Sequence, residues 1–539
     1  MADTSHSTPG RMVLAWVLSL AFGLAAGVIA GMVNPPTAPT PAAGGEAEAG
    51  LVVLERMPDG SERPLTRGSA AGPTADGDTP EKGDSHALPP APLIPLYACL
   101  PFAALLGAVA LMPFIHAKWW HAHYPEVSLA LGGFVAGYYL WAMGAFGRVS
   151  LMHVGVEYYS FIALVGGLYV ASGGLLVDVR ARATPLNNTL LLAVGAVLAN
   201  LIGTTGASVV LIRPFLRMNS PEHGGRLRPL HVVFFIFVVS NCGGCLTPIG
   251  DPPLYLGYLK GVPFSWTLTH LWPMWLMVNG ALLAVFYVVD AAHARRSGPA
   301  ARPANEERQG PVRVVGAGAL VALTLIVGGV FIDPVLKKVW GIEHVPVGAT
   351  FQLLVAAAAF VLAPRHVHQA NHFSWAPVKE VGMLFAGIFL TMAPALAYLS
   401  VNAPRLGLES PTQYYFATGV LSAMLDNAPT YLSFLQIAMS VLGLEVNAAD
   451  LARFISGSFV IVEPSGARVA FEGKIMLEAI SLGAVFFGAL TYIGNGPNFM
   501  VKAIAEERGV RMPSFFGYTA LATMILGPVL MLNWAIFIR

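Results

Sequence analysis

The stretch Asn241-Cys242-Gly243-Gly244-Cys245-Leu246-Thr247-Pro248-Ile249-Gly250-Asp251-Pro252-Pro253 interrupts an otherwise apolar run from 229 to 258. Its glycines and prolines forbid a continuous helix. Part of it returns: Thr247-x-Ile249-Gly250-Asp251-x-Pro253 reappears as Thr491-x-Ile493-Gly494-Asn495-x-Pro497 inside the run 475–504. Unpaired backbone in hydrocarbon costs on the order of several kcal/mol per group. A break of this kind therefore persists only where it lines a protein cavity. Two matched breaks mark an internal repeat.

Working outward from these breaks, the rest of the chain falls into two series. Apolar spans at 93–115, 126–147 and 158–179 precede a run at 188–212, interrupted by Asn200-Leu201-Ile202-Gly203-Thr204-Thr205-Gly206. The broken run 229–258 and a clean span at 266–290 complete the first series. The second has spans at 313–332, 347–363 and 381–400, then 413–443, interrupted by Leu425-Asp426-Asn427-Ala428-Pro429-Thr430. The broken run 475–504, with its Asn495-Gly496-Pro497-Asn498, and a span at 514–537 complete it. Domain organisation follows: a signal anchor or signal peptide at 1–33, an exposed Pro/Gly/Ala-rich linker at 34–92, repeat one at 93–290, a loop at 291–312, and repeat two at 313–539. Within the linker, a hairpin around Pro58-Asp59-Gly60 is the one candidate structure.

Composition agrees with a membrane solvent. Of 539 residues, 55% are hydrophobic and 11% charged, against roughly 25% charged in soluble domains; mean hydropathy is +0.63. A net charge of +1 leaves no cationic surplus for nucleic acid, and Cys99, Cys242 and Cys245 make no disulfide framework. Soluble enzyme, secreted scaffold and nucleic-acid binder are excluded. Basic residues set the orientation. Arg180 and Arg182 precede the run 188–212, and Arg213, Arg217, Arg226 and Arg228 follow it. Basic flanks on both sides describe a segment that dips in and returns to the cytoplasm. Each series then crosses five times, an odd number, so the second repeat is inverted. The fold expected is an all-α polytopic membrane protein of two inverted repeats, each with a re-entrant hairpin and a broken transmembrane helix.

Asn241-x-Gly243-Gly244-x-x-Thr247-x-Ile249-Gly250-Asp251-Pro252-Pro253 resembles the signature of the ion-transporter superfamily. That group includes NhaD-type sodium/proton antiporters, arsenite permeases and citrate or dicarboxylate carriers. The nearest likeness is to bacterial chains labelled sodium/proton antiporter or citrate transporter. They also show stretches like Gly203-Thr204-Thr205-Gly206-Ala207-Ser208, Leu425-Asp426-Asn427-Ala428-Pro429-Thr430-Tyr431 and Thr491-Tyr492-Ile493-Gly494-Asn495-Gly496-Pro497-Asn498-Phe499. The resemblance covers about 93–537. It implies one ion site per repeat, a homodimer, and a multi-pass protein of the bacterial inner membrane.

Four interrupted segments meeting at the midplane form the secondary-transporter arrangement. Ion- or substrate-binding candidates are Asn200, Thr204, Thr205, Asn241, Thr247, Asp251, Asp426, Asn427, Thr430, Thr491, Asn495 and Asn498, gathered around two midplane sites. The breaks fall at Gly243, Gly244, Pro248, Gly250, Pro252, Pro253, Pro429, Gly494, Gly496 and Pro497. Asp251 precedes Pro252 where an N-cap belongs; it reads as a structural cap, a cation ligand, or both. Asp426 is the proton-carrying candidate: burial disfavours its charged form and a bound cation restores it. Glu478, beside Glu472 and Lys474, reads as a solvated span-end residue. The Cys242/Cys245 pair reads as packing. No cofactor and no resident metal are expected, only transported Na+ and H+.

The reading is a secondary transporter exchanging Na+ (or Li+) for H+. The alternative is cation-coupled transport of citrate, a dicarboxylate or an oxyanion. An intramembrane enzyme is the remote alternative: Ile249-Gly250-Asp251 lacks the first Gly of G-x-G-D, and Gly206-Ala207-Ser208-Val209 fails the last position of G-x-S-G. The partners expected are a small ion or carboxylate solute and the lipid bilayer.

Overall fold

The computed structural model describes residues 15–26, 52–57, 59–65, 94–179, 181–221, 225–296, 313–341, 345–462 and 465–539. Thr184 opens the first of two folded-back helix pairs. Its hydroxyl accepts from Asn187 N at 3.2 Å, and Pro185 takes the first helical position, where a missing N–H costs nothing. Pro185–Met218 has 34 residues, about 50 Å if straight. It bends back at Gly203, whose φ of 77° and ψ of 155° suit only glycine. Asn219 Nδ2 then donates to Asn188 Oδ1 at 2.9 Å, so the two ends meet. The second pair opens in the same way, with Pro411 first and a capping box between Ser410 and Gln413. Pro411–Met424 ends at an extended Leu425, and Asn427–Val441 turns back. Phe434 meets Tyr414 edge-on at 6.4 Å between ring centroids.

Each pair is followed by a broken segment. Pro229–Val238 yields to the 3-10 turn Cys242–Leu246 and resumes as Pro252–Lys260. Gly473–Phe487 yields to Gly488–Leu490 and resumes as Gly496–Glu507. In both, 83% of the most apolar 18-residue window is buried, against 28% for Trp266–Arg296 and 33% for Phe515–Ile538. Helices apolar all round are core helices; the broken segments are therefore interior.

The chain clusters into two compact units. One takes Met1–Tyr158, Lys379–Glu409 and Leu435–Lys474; the other takes Tyr159–Val378, Ser410–Phe434 and Ile475–Arg539. This partition does not follow 93–290 and 313–539. The second unit holds both hairpin tips and both breaks. It also pairs Leu176–Asp178 antiparallel with Arg313–Val315.

In the first unit, Ile94, Ala98, Val135, Tyr138, Tyr139 and Met143 form a core cluster. That unit also holds an antiparallel sheet in the order Glu62–Pro64, Val52–Arg56, Ser458–Val462, Arg468–Glu472. The hairpin around Asp59-Gly60 is present, but its strands are not linker: Leu54 stands opposite Val460, and Arg453 forks onto the Glu55 carboxylate. The remainder of the 34–92 linker, both ends of the 12–33 run, and 297–312 lie outside the described residues.

Eight described helices are long and apolar enough to cross a membrane, or nine if Ala317–Gly329 and Ile332–Trp340, bent by 41°, form one span. The chain is a helical multi-pass membrane protein. Some spans differ from expectation. The helices are Ala117–Ala142 and Gly144–Gly173 rather than 126–147 and 158–179. The chain breaks between them at Gly144, which has φ 53°. Residues 313–315 form a strand, and the helix starts at Ala317 after Gly316 at φ 106°.

Candidate functional site

Asp251 is extended, with φ −143° and ψ 144°, and Pro252 follows it at the helix start. It occupies the N-cap position, yet its side chain makes no capping bond. The carboxylate turns inward instead, at 0% exposure. Oδ1 accepts from Thr204 Oγ1 at 2.8 Å and from Asn495 Nδ2 at 2.9 Å. Oδ2 accepts from Asn427 Nδ2 at 2.6 Å. A carboxylate offers about four acceptor positions, so room remains for a further ligand. Every one of these partners is neutral. Hydrogen bonds to a charged group contribute about 1.5–3 kcal/mol each, whereas burying an ion costs several kcal/mol.

An amide chain continues from this point. Asn495 Nδ2 also reaches Ser240 O and Asn241 Oδ1, each at 3.2 Å. Asn241 Nδ2 donates to Ile236 O at 2.8 Å and to Asn498 Oδ1 at 2.6 Å. Thr204, Asn241, Asp251, Asn427, Asn495 and Asn498 thus form one buried network. At one end of it an atom is unserved: Asn427 Oδ1 has no partner among the described residues, and Asn427 is 1% exposed.

Other expected ligands serve the backbone. Asn200 Nδ2 donates to Ala196 O and Gly243 O, and its Oδ1 accepts from Leu246 N at 2.8 Å. The amide is saturated in holding the first 3-10 turn. Asn498 is saturated likewise: Nδ2 donates to Gly488 O and Thr491 O around the second turn. Thr247 Oγ1 donates to Asn200 O at 2.7 Å, and Thr491 Oγ1 to Ala423 O at 2.6 Å. The two threonines tie each broken segment to its hairpin tip. Gly250 and Gly494 sit where an added Cβ would strike the carbonyls of Gly244 and Gly488. Thr430 Oγ1 donates to Asp426 O at 2.9 Å, and Asp426, partly exposed, accepts Ala428 N on Oδ1 at 3.0 Å. Thr205 is half-buried beside Thr204. Cys242 and Cys245 are fully buried free thiols.

Glu478 is 5% exposed, not solvated, because its helix is interior. Sequence reasoning also missed two polar groups on Trp266–Arg296. Trp275 Nε1 donates to Gly243 O at 2.7 Å and Asn279 Nδ2 to Cys242 O at 3.1 Å. The signal was a polar pair at i, i+4 in an apolar helix. A second missed cluster closes the base of the first hairpin. Asp290 accepts from His231 Nε2 at 3.1 Å and from Asn188 Nδ2 at 2.9 Å, while Arg228 N donates to His231 Nδ1 at 3.2 Å. With Nδ1 an acceptor, the ring proton sits on Nε2 and points at Asp290.

A family model described as "Putative citrate transport" matches residues 92–538. Relatives include an uncharacterized transporter of Mycobacterium bovis and one of Mycobacterium tuberculosis. Each is 24% identical over 353 residues, which is 64% of this chain and 75% of the relative.

Proposed function

The chain belongs to the family described as "Putative citrate transport", and we propose that it is a cation-coupled secondary transporter whose cation site is built on Asp251. One observation carries this reading: a fully buried carboxylate held only by neutral donors, beside an amide oxygen without a partner. A buried lone charge requires an opposite charge or a proton. Sodium, a hard cation that takes oxygen ligands, meets that requirement, and so does H+.

Two solutes fit such a site. Exchange of sodium for protons is favoured by two carboxylates, Asp251 and Asp426, with Asp426 as the proton carrier. Cation-coupled carriage of citrate or a related carboxylate is favoured by the family description and fits at least as well. In both, the two modules are inverted repeats with re-entrant hairpins in the inner membrane of a bacterium, and the working unit is a homodimer. Support for that topology comes from pairings between segments it puts on one side. Arg217 meets Asp178 at 3.5 Å, Leu176–Asp178 pairs with Arg313–Val315, and Val52–Arg56 pairs with Ser458–Val462.

The test is flux in proteoliposomes, with sodium, lithium, potassium and citrate offered separately under an imposed pH gradient. Cation-coupled transport predicts saturable flux of at least one solute that needs sodium or lithium. Exchange predicts sodium-driven proton movement without citrate; symport predicts citrate uptake that needs sodium. Flux indifferent to every cation would end the reading.

A further inference from the structure

Matched hydrogen bonds align the two modules residue by residue around their breaks. Thr247 bonds Asn200 O as Thr491 bonds Ala423 O, so Thr204 on the first hairpin corresponds to Asn427 on the second. Asp251 corresponds to Asn495 by the repeated motif. A site in each module would set Thr204 with Asp251 and Asn427 with Asn495. The first pairing is present, and the two residues of the second turn to Asp251 as well. Asn427 and Asn495 each donate to Asp251, at 2.6 and 2.9 Å, and Thr204 joins them at 2.8 Å. Asp426 makes none of these bonds; its carboxylate accepts from Ala428 N at 3.0 Å.

We infer that the protein has one monovalent-cation site shared by both modules, not one in each, and that it binds a single sodium ion per chain. This rests on the cation-coupled reading and departs from the site per repeat that the family resemblance implies. The second module supplies neutral ligands and the first supplies the charge. Within the bonded network one carboxylate balances one monovalent ion. Asn427 Oδ1, buried and without a partner among the described residues, is an oxygen available to a ligand. The amides of Asn427 and Asn495 point their N–H groups at Asp251. Rotating an amide by half a turn presents its oxygen to an arriving ion, since the two ends differ only in donor and acceptor roles.

Because Asp251 and Asn427 face each other across the site, their identities are exchangeable. The Asp251→Asn/Asn427→Asp protein keeps one carboxylate, one amide and the bond between them. Sodium binding to the purified full-length chain, measured with radioactive sodium, should saturate at one ion per chain. Sodium-dependent flux should show a Hill coefficient of about one. Asp251→Asn should weaken binding by at least about tenfold. The exchanged double variant should recover most of that loss, while Asn427→Asp alone, with two facing carboxylates, should gain affinity for a divalent ion such as calcium. Two ions per chain, or a Hill coefficient near two, would overturn the shared site and leave cation coupling standing. So would a double variant as weak as Asp251→Asn despite a monodisperse chromatographic peak and an unchanged melting temperature. A wild-type chain that binds no sodium and transports without it strikes the cation-coupled reading itself.

Discussion

Thr247 and Thr491 play the same part in the two modules, tying a broken segment to its hairpin tip at 2.7 and 2.6 Å. Four residues further on, the modules diverge. The first places Asp251 there, fully buried, and the second places Asn495. At the hairpin tips the order reverses: the first turns at Gly203 with φ 77°, the second at Asp426, which accepts its own Ala428 N–H. Shared architecture thus carries unshared chemistry. Backbone contacts that build the breaks recur: Gly250 lies against the Gly244 carbonyl as Gly494 lies against that of Gly488. Side chains that meet Asp251 need not recur, because both tips converge on that one carboxylate.

The largest expected effect tests that division of labour. Asp251→Asn should cut sodium-driven flux by about two orders of magnitude, the ~3 kcal/mol lost when one partner of a buried ion pair is removed. Asn495→Ala, at the matched position, removes only a donor and should cost about tenfold, or ~1.4 kcal/mol. Initial rates of tracer sodium uptake in proteoliposomes measure both. Equal losses would mean that the modules contribute alike.

Architecture should respond without such asymmetry. Gly250→Ala and Gly494→Ala each push a methyl group into a carbonyl, of Gly244 or Gly488. Both should destabilise by about 1–3 kcal/mol, seen as matched drops in melting temperature by scanning fluorimetry. A drop in one alone would break the backbone equivalence.

The hairpin tips should separate again. Gly203→Ala forces a side chain into a conformation that costs on the order of 1–3 kcal/mol. Asp426→Ala loses one local bond, worth about 1 kcal/mol, and keeps the fold. The same fluorimetry ranks them, and the reverse order would show that Asp426 holds the second tip by something other than its own turn.

The smallest effect concerns the connectors. Between hairpin and broken segment the first module has ten residues, 219–228, whereas the second has more than thirty, among them the helix Ala448–Ser456 and two strands of the sheet. Glu55→Ala removes the partner of Arg453, worth about 0.2–1 kcal/mol for a partly exposed pair. Limited proteolysis should become faster at 458–472 and stay unchanged at 219–228.

Much of this comparison was legible in the sequence. The repeat around Thr247 and Thr491 announced both breaks, because glycine and proline leave a backbone little choice. Thr184-Pro185 and Ser410-Pro411 open the hairpins with residues suited to helix starts. Direction of side chains was not legible. Asn200 and Asp251 look alike as polar residues in apolar runs, yet one staples a turn and the other faces the opposite module. That difference depends on contacts between segments 43 to 244 residues apart, which no local pattern encodes. Strand pairing of 52–56 with 458–462 was hidden for the same reason. Glu478 was misplaced because its flanks are polar while its helix is enclosed on all sides.

Sodium binding to purified Asp251→Asn and Asp426→Asn proteins, compared side by side with wild type, bears most directly on the claim that Asp251 holds the cation. Binding should weaken by at least about tenfold in Asp251→Asn and persist within a few-fold in Asp426→Asn. Retained binding in Asp251→Asn, with loss confined to Asp426→Asn, would contradict it.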